Sequence, residues 1–132
     1  MRLKLAAFAG LVLLATPSAG FAQEYKMVSV FSGNDVRLYL LNYVNNDCSS
    51  GLRPDVHVAA QPANGTVRVE PMPVTVNRAT TDPLSRCNGK KVDGAAVIYT
   101  SKPAYSGLDK LVLEIDFHTG NVRRYEAVID VR

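Results

Sequence analysis

Two cysteines, two histidines and scattered carboxylates are the groups with which this chain could do chemistry. His57 and His118 supply its imidazoles, and no G-x-S-x-G or comparable nucleophile motif surrounds either, so a Ser-His-Asp hydrolase is not indicated. Asp55 and His57 alternate onto one strand face, and Met72, set between Pro71 and Pro73, offers a soft sulfur. No ligand spacing joins these three into a metal motif, and the calcium sites of domain arrays need clustered acids that are missing here. Glu114 and Asp116 share the outward face of one strand, whereas a glycosidase holds its two carboxylates across a cleft. Glycine-rich phosphate loops and basic-aromatic arrays for nucleic acid are absent from the sequence. The expectation is a protein that is not an enzyme and needs no cofactor, with no bound metal and no nucleic-acid partner.

Cys48 and Cys87 carry the clearest chemistry. Neither has a CxxC partner or an adjacent histidine, so metal ligation is disfavoured. Two lone cysteines in an oxidising compartment pair, and the expectation is a Cys48–Cys87 disulfide. That compartment is indicated by the start of the chain. Arg2 and Lys4 precede an apolar run of about 11 residues, Leu5 to Ala15, followed by Thr16-Pro17-Ser18 and the small residues Gly20 and Ala22. A membrane helix needs about 20 apolar residues. The pattern therefore predicts a signal peptide over 1–22 and one exported domain over 23–132, periplasmic or extracellular, with no stable membrane insertion after cleavage. Without Arg2 and Lys4 the domain holds 13 basic and 12 acidic side chains, a net charge of +1, so its charge does not select a polyanionic partner.

The elements that must position these groups read as strands. Tyr25–Phe31 alternates. Arg37–Val44 is apolar on both faces, with Leu38 and Leu40 on one side and Tyr39, Leu41 and Tyr43 on the other. Asp55–Ala60 points Val56, Val58 and Ala60 inward. Asn64-Gly65 then gives a hairpin signal, since both residues accept positive φ. Thr66–Val76 returns with Val67 and Val69 inward, and its prolines place it at a sheet edge. Residues 77–94 read as a long loop carrying Cys87 and the cations Arg78, Arg86, Lys90 and Lys91, the candidate interaction loop. Ala95–Thr100, Lys110–Phe117 and Val122–Val131 complete seven candidate strands, the last two joined by a turn at 118–121. Short, evenly spaced strands predict an all-β sandwich with one disulfide.

Two segments resemble a known family. Pro62-Ala63-Asn64-Gly65-Thr66-Val67 is similar to the P-x-x-G-T-V hairpin of bacterial Ig-like and cadherin-like repeats. The stretch from Tyr99 through Tyr105, Gly107 and Asp109 to Leu111 resembles their later signature, Y-x-P-x-x-x-Y-x-G-x-D-x-F. The resemblance covers residues 55–131. It departs where Leu111 replaces the usual aromatic, where Pro103 is shifted by one, and in the added cysteine pair. It implies an Ig-like antiparallel β-sandwich, with Asn64, Gly65, Tyr99, Tyr105, Gly107 and Asp109 as fold residues. Such scaffolds host many binding roles. The expected function is a non-catalytic binding or interaction module of the bacterial envelope, its partner another protein or an envelope component. The alternatives are a secreted inhibitor of an envelope-directed enzyme such as lysozyme, its basic loop entering an acidic cleft, and a periplasmic metal-binding protein using His57 and Met72.

Overall fold

A computed structural model describes residues 23–132; the segment 1–22, expected to be a signal peptide, lies outside the described residues. Seven strands form two sheets: β1 (Gln23–Val30), β2 (Asp35–Asn42), β3 (Asp55–Ala60), β4 (Gly65–Thr75), β5 (Lys91–Ser101), β6 (Gly107–Asp116) and β7 (Val122–Val131). One sheet runs β1-β7-β6-β3 and the other β2-β5-β4. The grouping of β2, β4 and β5 against β3, β6 and β7 is that of an immunoglobulin-type sandwich. One pairing departs from the antiparallel expectation: β1 lies parallel to β7, from Gln23 beside Arg124 to Val30 beside Val131.

The core follows the alternation. Leu111, Leu113 and Ile115 of β6 and Tyr125, Ala127, Ile129 and Val131 of β7 face Leu38, Tyr39 and Leu41 of β2 and Val97 and Tyr99 of β5. β6 and β7 form the hairpin read from the sequence, paired from Gly107–Val131 to Asp116–Val122. Where alternation fails, a local irregularity is the reason. The β2–β5 register shifts between Arg37 and Tyr39, so Leu38 and Tyr39 are both buried while Leu40 is left 43% exposed. A second shift, between Val58 and Ala60 of β3, leaves Ala60 exposed rather than inward. Val69, expected inward, is exposed as well.

Asn64-Gly65 does not make a β3–β4 hairpin. β3 pairs with β6 and β4 with β5, so the segment crosses between sheets, and neither residue adopts positive φ. Gly65 is needed for another reason. A Cβ there would lie 2.4 Å from the Tyr99 ring and 2.6 Å from the Thr100 carbonyl oxygen. β4 pairs only with β5, which accommodates Pro71 and Pro73 at an edge. The segment expected as a loop over 77–94 is shorter, because β5 already begins at Lys91, and it contains a 3-10 turn over Pro83–Cys87. Asp82 caps that turn, accepting from the Leu84 N–H at 2.8 Å.

Candidate binding cleft

Three connections meet at one end of the sandwich: β2–β3, β4–β5 and the β6–β7 turn. The disulfide Cys48–Cys87 ties the first two together. Around it a small second core forms from Val44, Val76, Cys87 and Val92, with Leu84 against it. An apolar cluster plus a covalent tie lets two irregular segments hold a fixed shape where no ladder supports them.

Between these segments the sheets part and leave a cleft of about 400 Å³. Tyr39 and Tyr125 stand on its floor, ring centroids 5.2 Å apart and edge to face. Leu40, Asn42, Tyr43 and Val44 come from β2 and its continuation, Asn77, Arg78 and Leu84 from the β4–β5 segment, Phe117, Thr119 and Arg123 from the turn and start of β7, and Glu24 from β1. An adjoining hollow of about 270 Å³ shares Glu24, Arg123 and Tyr125 with it. The volume is within the range of small-molecule sites, and the lining is mixed, eight apolar or aromatic residues and seven polar or charged ones.

The electrostatics of the floor are unusual for a core. Tyr39 is 8% exposed, and its hydroxyl has no hydrogen-bond partner among the described residues. Burial, with the nearby Glu24 carboxylate, pushes its ionisation up to about 12. Burial raises Tyr125 too, and Glu24 adds to the shift. Both floor tyrosines are therefore neutral donors at any physiological pH. Arg123 lies over the Phe117 ring, 5.5 Å from its centroid. Arg78 reaches Asn42 Oδ1 at a long 3.4 Å. Among the described residues neither arginine has a carboxylate within 4.0 Å.

No family model matches this chain, and no curated protein matches it. Solved structures similar to it include that of Amebosin. The solution structure of Amebosin shares 14% identity, covers 83% of this chain and 98% of its own, and superposes with a TM-score of 0.46. That likeness bears on neither family nor function.

The expected interaction cations separate. Arg78 reaches the cleft wall. Arg86 donates to the carbonyls of Pro83 and Asn46, so its guanidinium braces the loops rather than projecting from them. Lys90 is exposed beside Asp47, and Lys91 belongs to β5, opposite Thr75, rather than to a loop. His57 is exposed on β3. His118 lies 3.0 Å from the Arg53 carbonyl oxygen and 3.6 Å from Asp55. Met72 is on β4, in the other sheet from His57. Glu114 pairs with Arg124 at 3.2 Å, and Asp116 accepts from the His118 backbone N–H.

The residues that carried the family resemblance gather at the opposite end. Asp109, 4% exposed, accepts from the backbone N–H groups of Ala63 and Asn64, both at 3.0 Å, and from the Tyr99 hydroxyl at 2.7 Å. It thereby caps the β3–β4 crossover. Tyr99 also reaches the Asn64 carbonyl at 3.2 Å. Tyr105 donates to the Leu108 carbonyl at 2.7 Å over Gly107, whose φ of 132° disfavours a side chain. The cleft residues Glu24, Tyr39, Arg123 and Tyr125 were not singled out by sequence. The one available signal was β2, apolar on both faces.

Proposed function

We propose that the domain is an exported, non-catalytic binding module of the bacterial envelope, a relative of the bacterial Ig-like and cadherin-like repeats, and that its binding surface is the disulfide-tied end. The carrying observation is the cleft between two irregular segments that a disulfide holds together. A disulfide in so small a domain fits an oxidising compartment, periplasm or outside, as does the signal pattern over 1–22. Among the described residues no helix is long and apolar enough to cross a membrane. The inhibitor reading draws less support, because Arg86 is engaged by carbonyls of its own loops and Lys91 sits in a strand. The metal reading loses its proposed pair, His57 and Met72, to different sheets.

The test is capture from a bacterial envelope extract on the immobilised 23–132 domain, oxidised, against the same domain reduced and alkylated. A component retained by the oxidised form and lost on reduction is expected. Retention by neither, or equally by both, sinks the assignment of the tied end as the binding surface.

A further inference from the structure

This inference rests on the binding-module reading and asks what the cleft accepts. We infer that it takes a small organic monocarboxylate with an apolar body, its carboxylate held between Arg78 and Arg123. The first ground is that Arg78 and Arg123 both line the cleft, neither of them neutralised by a carboxylate within 4.0 Å among the described residues. A guanidinium presents paired donors in a plane that matches a carboxylate's two oxygens. Arg123 lies over the Phe117 ring and beside the Tyr125 hydroxyl, which keeps its guanidinium at the cleft.

Charge narrows the class. Two arginines and Glu24 give the lining a net charge of +1. A monoanion balances that charge, whereas a dianion such as phosphate adds repulsion from Glu24. The wall then sets the body of the ligand. Leu84 and Phe117, both half-buried in the lining, are apolar surface for a branched aliphatic or aromatic group. Asn42 and Asn77 supply amides for one neutral polar group beside it. The Tyr39 hydroxyl, in the cleft lining, buried and without a partner, is a donor left for a seated carboxylate to satisfy. Both a free acid and the C-terminus of a peptide present this chemistry.

The test is a titration of the ¹⁵N-labelled, oxidised 23–132 domain with N-acetyl-leucine, N-acetyl-leucinamide, inorganic phosphate and a pentapeptide ending in a free leucine carboxylate. N-acetyl-leucine is expected to shift the backbone amides of Asn42, Asn77 and Arg123, with Kd on the order of 1 mM for so small a probe. The amide twin and phosphate should bind at least tenfold more weakly. Arg78→Gln and Arg123→Gln should each weaken N-acetyl-leucine at least fivefold without changing the rest of the spectrum. Tyr39→Phe should weaken it about threefold. A peptide that binds more tightly than the free acid assigns the site to chain termini, and a peptide that is excluded assigns it to free acids; either supports the proposal. Equal binding of acid and amide, shifts away from the cleft, or no shifts overturn it. An envelope component captured undiminished by the Arg78→Gln/Arg123→Gln variant also overturns it, and leaves the binding-module reading standing.

Discussion

The two ends of the sandwich solve one problem in opposite ways. Each must close a gap where strands stop, and each has a buried tyrosine from the second sheet, Tyr99 at one end and Tyr39 at the other. At the Tyr99 end a carboxyl group saturates the donors around it, including two backbone N–H groups of the crossover. At the Tyr39 end a covalent tie and a small apolar cluster do the holding, and one buried polar group, the Tyr39 hydroxyl, is left without a partner among the described residues. A saturated network is rigid and has nothing left to offer a ligand. An orphaned buried hydroxyl costs stability, and natural sequences accept such costs mainly where a function uses the group. The difference separates an end built for folding from an end built for contact.

The largest expected effect separates them by removing the tie. The Cys48→Ala/Cys87→Ala variant frees a segment closed across 39 positions, and the chain-entropy relation puts the loss at about 4 kcal/mol. Denaturant unfolding should show that loss, and hydrogen exchange should rise over 43–54 and 76–90 while amides around Asp109 stay protected. Uniform loss of protection at both ends would mean that the ends are not separately held. Next comes Asp109→Ala, which strands the Tyr99 hydroxyl and the Ala63 and Asn64 N–H groups together. A cost of about 3 kcal/mol is expected from hydrogen bonds to a charged acceptor. The Cys48–Cys87 bond should still form in that variant, a point checked by thiol titration.

How much of this was legible follows the same division. β6 and β7 were readable because Leu111, Leu113 and Ile115, and Tyr125, Ala127, Ile129 and Val131, recur at every second position and meet in a local hairpin. The disulfide was readable because two cysteines leave one pairing. The six motif residues were readable as a set, though their contacts were not: Asn64-Gly65 prefers a turn locally, and which strand follows it is decided by pairings some 40 positions away. The bulge that turns both Leu38 and Tyr39 inward was invisible, since a slip of one residue in register changes faces without changing composition. The cleft was least legible. Its residues arrive from β1, β2, β7 and three connections, and each is ordinary in its own segment.

The smallest effect is also the sharpest discriminator: the same Tyr→Phe change made at both ends. Tyr99→Phe removes a donor from Asp109 and the Asn64 carbonyl and should cost about 2 kcal/mol. Tyr39→Phe removes a hydroxyl with no partner, so stability should be unchanged or rise by up to about 1 kcal/mol. Alkaline titration reads the pair again. Both phenols ionise at higher pH in the folded state than the ordinary 10.0, Tyr39 at about 12, chiefly because burial penalises the charged form. Their stabilising contribution is therefore intact below pH 10, where folded and unfolded chains are equally protonated. It is lost as pH rises from 10 through the folded values, where the unfolded chain ionises first. Melting temperature measured from pH 8 to 11.5 should be level and then fall, and either substitution should make the fall shallower. If Tyr39→Phe destabilised the protein as much as Tyr99→Phe, the Tyr39 hydroxyl would have a structural partner, and the contrast between the two ends would fail at the floor of the cleft.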